Sequence, residues 1–326
     1  MISLQPLIFF TAVIGMAVAI ETHGGVQFDV RWTNTSSPLD NPIKDAYETA
    51  AAKQVYERLQ GAIHATNITS DCLSSGNSTP AGVYVLKDCM VAEHGSGVFF
   101  DLLADDIAEA DKFWKQVVEE SSTNVTEYIP ARTYVRGFFG DSLNATEFAI
   151  WTASPFSDAE DLHANPEHYF INSTVASVVS ESSEIFEGWG GVLSSFGSVR
   201  TNFTVPDFST PAFGTADYPW AWSLNTAFPL AFQRIGHKKL SDGTTFGVLH
   251  IAIRDFAANE TSIGISGIEV YAAVWYPSWD QGCVANKTEF ANNFLPDESH
   301  HMVQEIIADT LKAKSDCASG LCVVSS

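Results

Sequence analysis

The sequence predicts an α+β fold of two interlocking halves, with antiparallel sheets and a few packed helices. Three observations carry that reading. Apolar residues alternate at every second position in several short runs and recur at helical spacing in others. The strand-like runs of the second half also follow one another across short polar turns instead of alternating with helices. With 326 residues, 45% of them hydrophobic, the chain can bury a substantial core.

In order along the chain, VQFDVRW (26–32) alternates as a strand with Val26, Phe28, Val30 and Trp32 inward. Asp40-Asn41-Pro42 opens a helix whose stripe is Ile43, Ala46, Tyr47, Ala50, Ala51, Val55, Leu59 and Ile63. Residues 82–92 and 96–103 read as two strands about His94-Gly95-Ser96-Gly97. A second helix carries Ile107, Ala110, Phe113, Trp114, Val117 and Val118, and residues 130–139 and 146–153 read as further strands. Asn172-Ser173 caps a helix bearing Val175, Val178, Val179, Ile185 and Phe186, stopped by Gly188-Trp189-Gly190-Gly191. After an irregular stretch at 203–222, strands at 226–236, 245–256 and 266–277 form a meander with turns at Ser241-Asp242-Gly243 and Ala257 to Thr261. The last element, 297–313, is a helix with Met302, Val303, Ile306 and Leu311 inward. The halves are 20–160 and 161–326.

The first nineteen residues read as a signal peptide: an apolar run from Leu7 closes on Ala17-Val18-Ala19, and the mature chain is expected to start near Ile20. No later run is long enough to span a membrane. Nine of fourteen asparagines sit in N-x-S/T sequons, namely Asn34, Asn67, Asn77, Asn124, Asn144, Asn172, Asn202, Asn259 and Asn286. That excess points to an N-glycosylated protein of the secretory pathway, secreted or luminal, with each used sequon on an exposed loop or element end. Of five cysteines, Cys72 and Cys89 form the natural local pair, while Cys283 is expected to reach Cys317 or Cys322 and leave one thiol over. A net charge of −22 excludes a nucleic-acid partner. Nothing in the sequence sets the oligomeric state, and a homodimer is compatible with it.

No G-x-S-x-G elbow, H-E-x-x-H, P-loop or G-x-G-x-x-G is present. His301 and Glu305 lie one helical turn apart and could form a metal edge; the alternative is a solvated helix start, and no metal is expected. VFFDLL places Asp101 in an apolar stretch. If that stretch is a buried strand, desolvation makes the carboxyl a proton donor; if the pleat turns Asp101 outward, it faces water. The strand VLHIAIRDF (248–256) points Leu249, Ile251 and Ile253 to one face and His250, Ala252 and Arg254 to the other. On the next strand that second face meets either Glu269, Tyr271 and Trp275 or Val270, Ala272 and Tyr276. Tyr218, Trp220 and Trp222 cluster in the loop DYPWAW, which completes an aromatic pocket around two cationic donors. The competing account makes these aromatics core and pairs Arg254 with Asp255 or Glu269.

The stretches ADYPWAWSLNTAFPLAFQ (216–233), VLHIAIRDF (248–256) and IEVYAAVWYPSW (268–279) resemble the fungal hetero-Diels–Alderases of tropolone sesquiterpenoid pathways, of the eupenifeldin, pycnidione and xenovulene type. The resemblance implies dehydration of a tropolone benzylic alcohol to an ortho-quinone methide. A hetero-Diels–Alder addition to a humulene-type sesquiterpene then follows, with no cofactor. In that setting the strand-face reading makes His250 the group that assists hydroxide departure, Arg254 the fork on the tropolone oxygens, and Asp101 a further acid. Tyr218, Trp220, Trp222, Tyr271, Trp275 and Tyr276 bind substrate. A non-enzymatic carrier of a hydrophobic ligand and a secreted hydrolase without a recognisable motif are the rival expectations.

Overall fold

A computed structural model describes residues 19–32, 43–66, 68, 71–122, 124–177, 180–195, 197–210, 227–277 and 289–322. Nine antiparallel strands form one sheet: β1 (Ala19–His23), β2 (Val26–Trp32), β3 (Ile129–Gly137), β4 (His168–Ser177), β5 (Ser180–Trp189), β6 (Val199–Ser209), β7 (Gln233–Lys239), β8 (Thr245–Phe256) and β9 (Gly267–Tyr276). Their order is β1-β2-β3-β9-β8-β7-β6-β5-β4. The halves interlock at one seam, where β3 of the first pairs with β9 of the second from Ile129↔Tyr276 to Gly137↔Ile268. The predicted meander is present as β7-β8-β9, and Gly243 takes φ +88° in its first turn, a conformation natural to glycine.

Seven helices accompany the sheet among the described residues: α1 (Ile43–Ala65), α2 (Pro80–His94), α3 (Val98–Leu102), α4 (Ala104–Glu119), α5 (Ala145–Thr152), α6 (Pro155–Ala164) and α7 (Leu295–Ala318). α7 crosses one sheet face, packing on β2, β3, β5 and β9 and against α1, α5 and α6. α4 packs on β6 and β8 beside it. Between these helices and the sheet lies the main core, in which Trp114 stacks on Tyr276 with centroids 5.2 Å apart and donates Nε1–H to Thr201 at 2.9 Å. A second core joins α1, α2 and α3 to Tyr169 of β4 and Phe186 of β5.

Four expected elements change type, and the stretch expected to be irregular from 203 is strand β6 as far as Ser209. Residues 82–92 and 96–103 are helices α2 and α3, not strands, and 146–153 is helix α5. Local chemistry accounts for two of them. Thr79 caps α2 by accepting from the Gly82 amide, with Pro80 in the first turn, and Asn144 and Glu147 form a reciprocal capping box on α5. In the other direction, the helix expected after Asn172 is the β4–β5 hairpin, with Ser173 opposite Ser183. Its β-branched and hydroxyl-bearing residues favour a pleated ladder over a helix interior.

The disulfides are Cys72–Cys89, as expected, and Cys317–Cys322. Because the two tail cysteines bond each other, the bridge from Cys283 to the tail does not form; Cys283 itself lies outside the described residues. Asn77, Asn124, Asn144, Asn172 and Asn259 are exposed, whereas Asn202 is half-buried within β6; Asn34, Asn67 and Asn286 fall outside the description. Among the described residues no helix is long and apolar enough to cross a membrane.

Candidate functional site

A cavity of about 150 Å³ lies between the inner face of β5–β9 and α7, with α5 and α6 at its side. Strand alternation builds its apolar wall: Leu249, Ile251 and Ile253 of β8 stand beside Val270, Ala272 and Val274 of β9. α7 supplies the opposite side through one stripe, Glu298, His301, Met302, Glu305, Ile306 and Asp309, at the three- and four-residue spacing of a single helix face.

Ionisable groups stand around this apolar wall. Lys238 Nζ lies 3.0 Å from Glu187 Oε1 and 3.8 Å from Glu298 Oε1, with the rings of Phe203 and Trp189 at 4.2 and 4.4 Å. All three charged residues are buried. Burial would raise the Glu187 carboxyl, but the Lys238 charge and hydrogen bonds from His168 and His301 hold it well below the usual carboxylate range. Glu298 goes the other way: burial raises it, and Lys238 offsets this only in part. Glu298 Oε1 accepts from Tyr276 Oη at 3.1 Å, while its Oε2 has no hydrogen-bond partner among the described residues. Glu298 is therefore a carboxyl biased toward holding a proton, next to a carboxylate biased against it. Asp161 and Asp309 are both pushed well up, by burial first and then by neighbouring acids, Asp309 and Glu305 for Asp161 and Glu305 for Asp309. On β7, opposite Ile251, Arg234 pairs with Glu181 at 2.8 Å and donates to Thr152 Oγ1 at 2.7 Å.

The expected site residues fall elsewhere. The first of the two registers holds, since Arg254 faces Glu269 and Ala252 faces Tyr271, so His250, Arg254, Tyr271 and Trp275 do share a face. It is the sheet face opposite the cavity. His250 is fully buried there, its Nε2 3.2 Å from Gln233 Oε1 and its ring 5.2 Å from that of Tyr271. Arg254 is bound to Glu269 at 2.6 Å and Glu260 at 2.9 Å, the ion-pair account weighed from the sequence. Asp101 is exposed on helix α3, so the buried-strand reading of it is corrected. Of the named aromatics that are described, Tyr276 alone reaches the cavity, through Glu298; Tyr218, Trp220 and Trp222 lie outside the described residues. The solvated start expected for the last helix is also overturned: Asp297, Glu298, His300 and His301 are 0, 2, 2 and 2% exposed.

Sequence reasoning missed Glu187, Lys238, Glu298 and Asp309. A signal was present in the spacing of 298, 301, 305 and 309, an ionisable stripe alternating with apolar residues on one helix. It was read as solvation because one helix does not reveal what covers it. Neither a protein-family model nor a curated protein sequence matches this chain.

Proposed function

We propose that this protein is an enzyme that works by proton transfer on a largely apolar small molecule held against the β8–β9 wall. Its reaction is the one the resemblance implies: dehydration of a tropolone benzylic alcohol to an ortho-quinone methide, then hetero-Diels–Alder addition to a humulene-type alkene. The observation that supports this most is a single cavity that joins an apolar β8–β9 wall to buried ionisable side chains of β5, β7 and α7. A polar handle on the substrate meets these side chains while its hydrocarbon meets Leu249, Ile251 and Val270.

In this reading Glu298 gives its proton to the departing hydroxyl, which leaves as water, and the Glu298 carboxylate so formed takes the tropolone hydroxyl proton, which restores the acid. The balance is loss of one water. Tyr276 and Lys238 orient Glu298 and stabilise its anion after transfer. At about 150 Å³ the cavity is smaller than the roughly 300–1,000 Å³ of sites for drug-sized ligands. It suits one ring at a time, so the terpene partner requires a wider state of the same wall.

Incubating the purified protein with a tropolonic benzylic alcohol and humulene tests the proposal. Wild type should give a single stereoisomer of the dihydropyran, and Glu298→Gln should lose dehydration by on the order of 10²–10⁴-fold, the usual worth of a general acid. A folded wild type without turnover, or an unimpaired Glu298→Gln, would refute it.

A further inference from the structure

Three potential ligand atoms converge where β4, β5 and α7 meet, and binding an ion would displace the imidazole protons now shared with Glu187. His168 Nε2 lies 3.0 Å from His301 Nε2 and 3.2 Å from Glu187 Oε2, and the third side of the triangle, His301 Nε2 to Glu187 Oε2, is 3.6 Å. The three residues are buried. Donors about 2.1 Å from one zinc-like ion stand ~3.0 Å apart at octahedral angles and ~3.4 Å apart at tetrahedral ones, so this triangle has the dimensions of a facial ligand set. We infer that His168, His301 and Glu187 bind a divalent transition-metal ion, of which zinc suits the mixed nitrogen and oxygen donors.

Independent features point the same way. His168 Nδ1 is 2.6 Å from the Asp161 carbonyl, which takes its N–H and turns the Nε2 lone pair into the triangle. Glu187 spends Oε1 on Lys238 and keeps Oε2 for the ion. A ligand atom of Glu305 lies within 4.8 Å of those of His168 and His301, and a second acidic group, Asp161, Glu305 and Asp309, adjoins it. Carboxylates thus outnumber cations here, and a dication offsets the excess. Loading requires the His301 proton to sit on Nδ1. Glu167 Oε2, 3.7 Å away, would have to close in as its acceptor, and the Asn165 amide nitrogen at 2.9 Å must turn aside. Because His301, Glu187 and Glu305 line the cavity, the remaining coordination positions open onto it.

The test uses the full chain, stripped with a chelator and titrated with Co²⁺ as a spectroscopic stand-in for Zn²⁺. Saturable binding of one ion per chain with visible d–d bands, displaced by Zn²⁺ and accompanied by a higher Tm, is expected. Glu187→Gln and His168→Asn should each weaken it at least tenfold. Wild type that binds no Co²⁺ saturably, or variants that bind it as tightly, would overturn the assignment, the second by placing the ion on surface carboxylates. Should either variant fail to fold, X-ray absorption of the Zn²⁺-loaded wild type decides: two imidazoles and a carboxylate support the site, and an all-oxygen shell refutes it. No arm involves turnover, so its failure leaves the proposed reaction standing.

Discussion

His250 shows how burial alone can set a residue's protonation. Its ring is sealed under Tyr271 and beside Gln233, and burial pulls its pKa down to about 3. In the unfolded chain an imidazole takes its proton near pH 6.5. Between those values the unfolded state binds more protons than the native one, so stability is full above about pH 6.5 and falls as the solution is acidified. The loss from this residue can reach ~1.4 kcal/mol per pH unit, and His250→Gln should flatten the denaturant midpoint between pH 7 and pH 5 relative to wild type. Lys238 is the complementary case. Lys238→Met strands Glu187 and Glu298 as buried acids without their cation, a change expected to cost about 3–5 kcal/mol in chemical unfolding at neutral pH. At this scale the sequence was half legible. The shared face of His250 and Arg254 followed from the two-residue period of a strand, but which face the helices cover depends on β3 and α7, distant in sequence.

Among the elements, the two described disulfides close loops of different length. Cys72 and Cys89 are 17 residues apart and tie the 3₁₀ turn Asp71–Ser74 to α2, whereas Cys317 and Cys322 are 5 apart at the end of α7. Loop-closure entropy gives about 3 kcal/mol for the first and about 2 for the second. Replacing Cys72 and Cys89 by Ala should therefore lower the unfolding midpoint more than replacing Cys317 and Cys322, and a reversed order in calorimetry would contradict this. Elements with long stripes, α1 and α4, or strict alternation, β2 and β8, could be read from the sequence directly. α2 could not, because Val83, Tyr84, Val85 and Leu86 are good strand formers; the deciding evidence was the Thr79-Pro80 start. The capping box of α5, Asn144 and Glu147, stands in the sequence just ahead of the apolar run Phe148 to Trp151, which by itself suits a strand.

At the scale of the molecule, the β3–β9 seam makes one sheet from the two halves, and α7 seals it by lying on strands of both. Fragments 20–160 and 161–326 should each fail to give a cooperative unfolding transition when made alone, since each exposes a seam strand and loses one side of the core; a stable folded fragment would show independent halves. The interlocking was anticipated from the sequence, but its seam was not, because a pairing between residues near 133 and 272 leaves no local trace. One consequence follows from where the sheet stops. Among the described residues no strand pairs with the outer side of β4; Asp158 of α6 accepts from its Ser173 amide, and Asn172, Thr174 and Val175 are exposed. Unpaired backbone on such a strand is a template on which another chain can continue the ladder. A sugar on Asn172 would stand on that rim and block end-to-end growth of the protein into polymers. Asn172→Gln should then self-associate in light scattering where Asn77→Gln, on an exposed turn outside the sheet, stays dispersed.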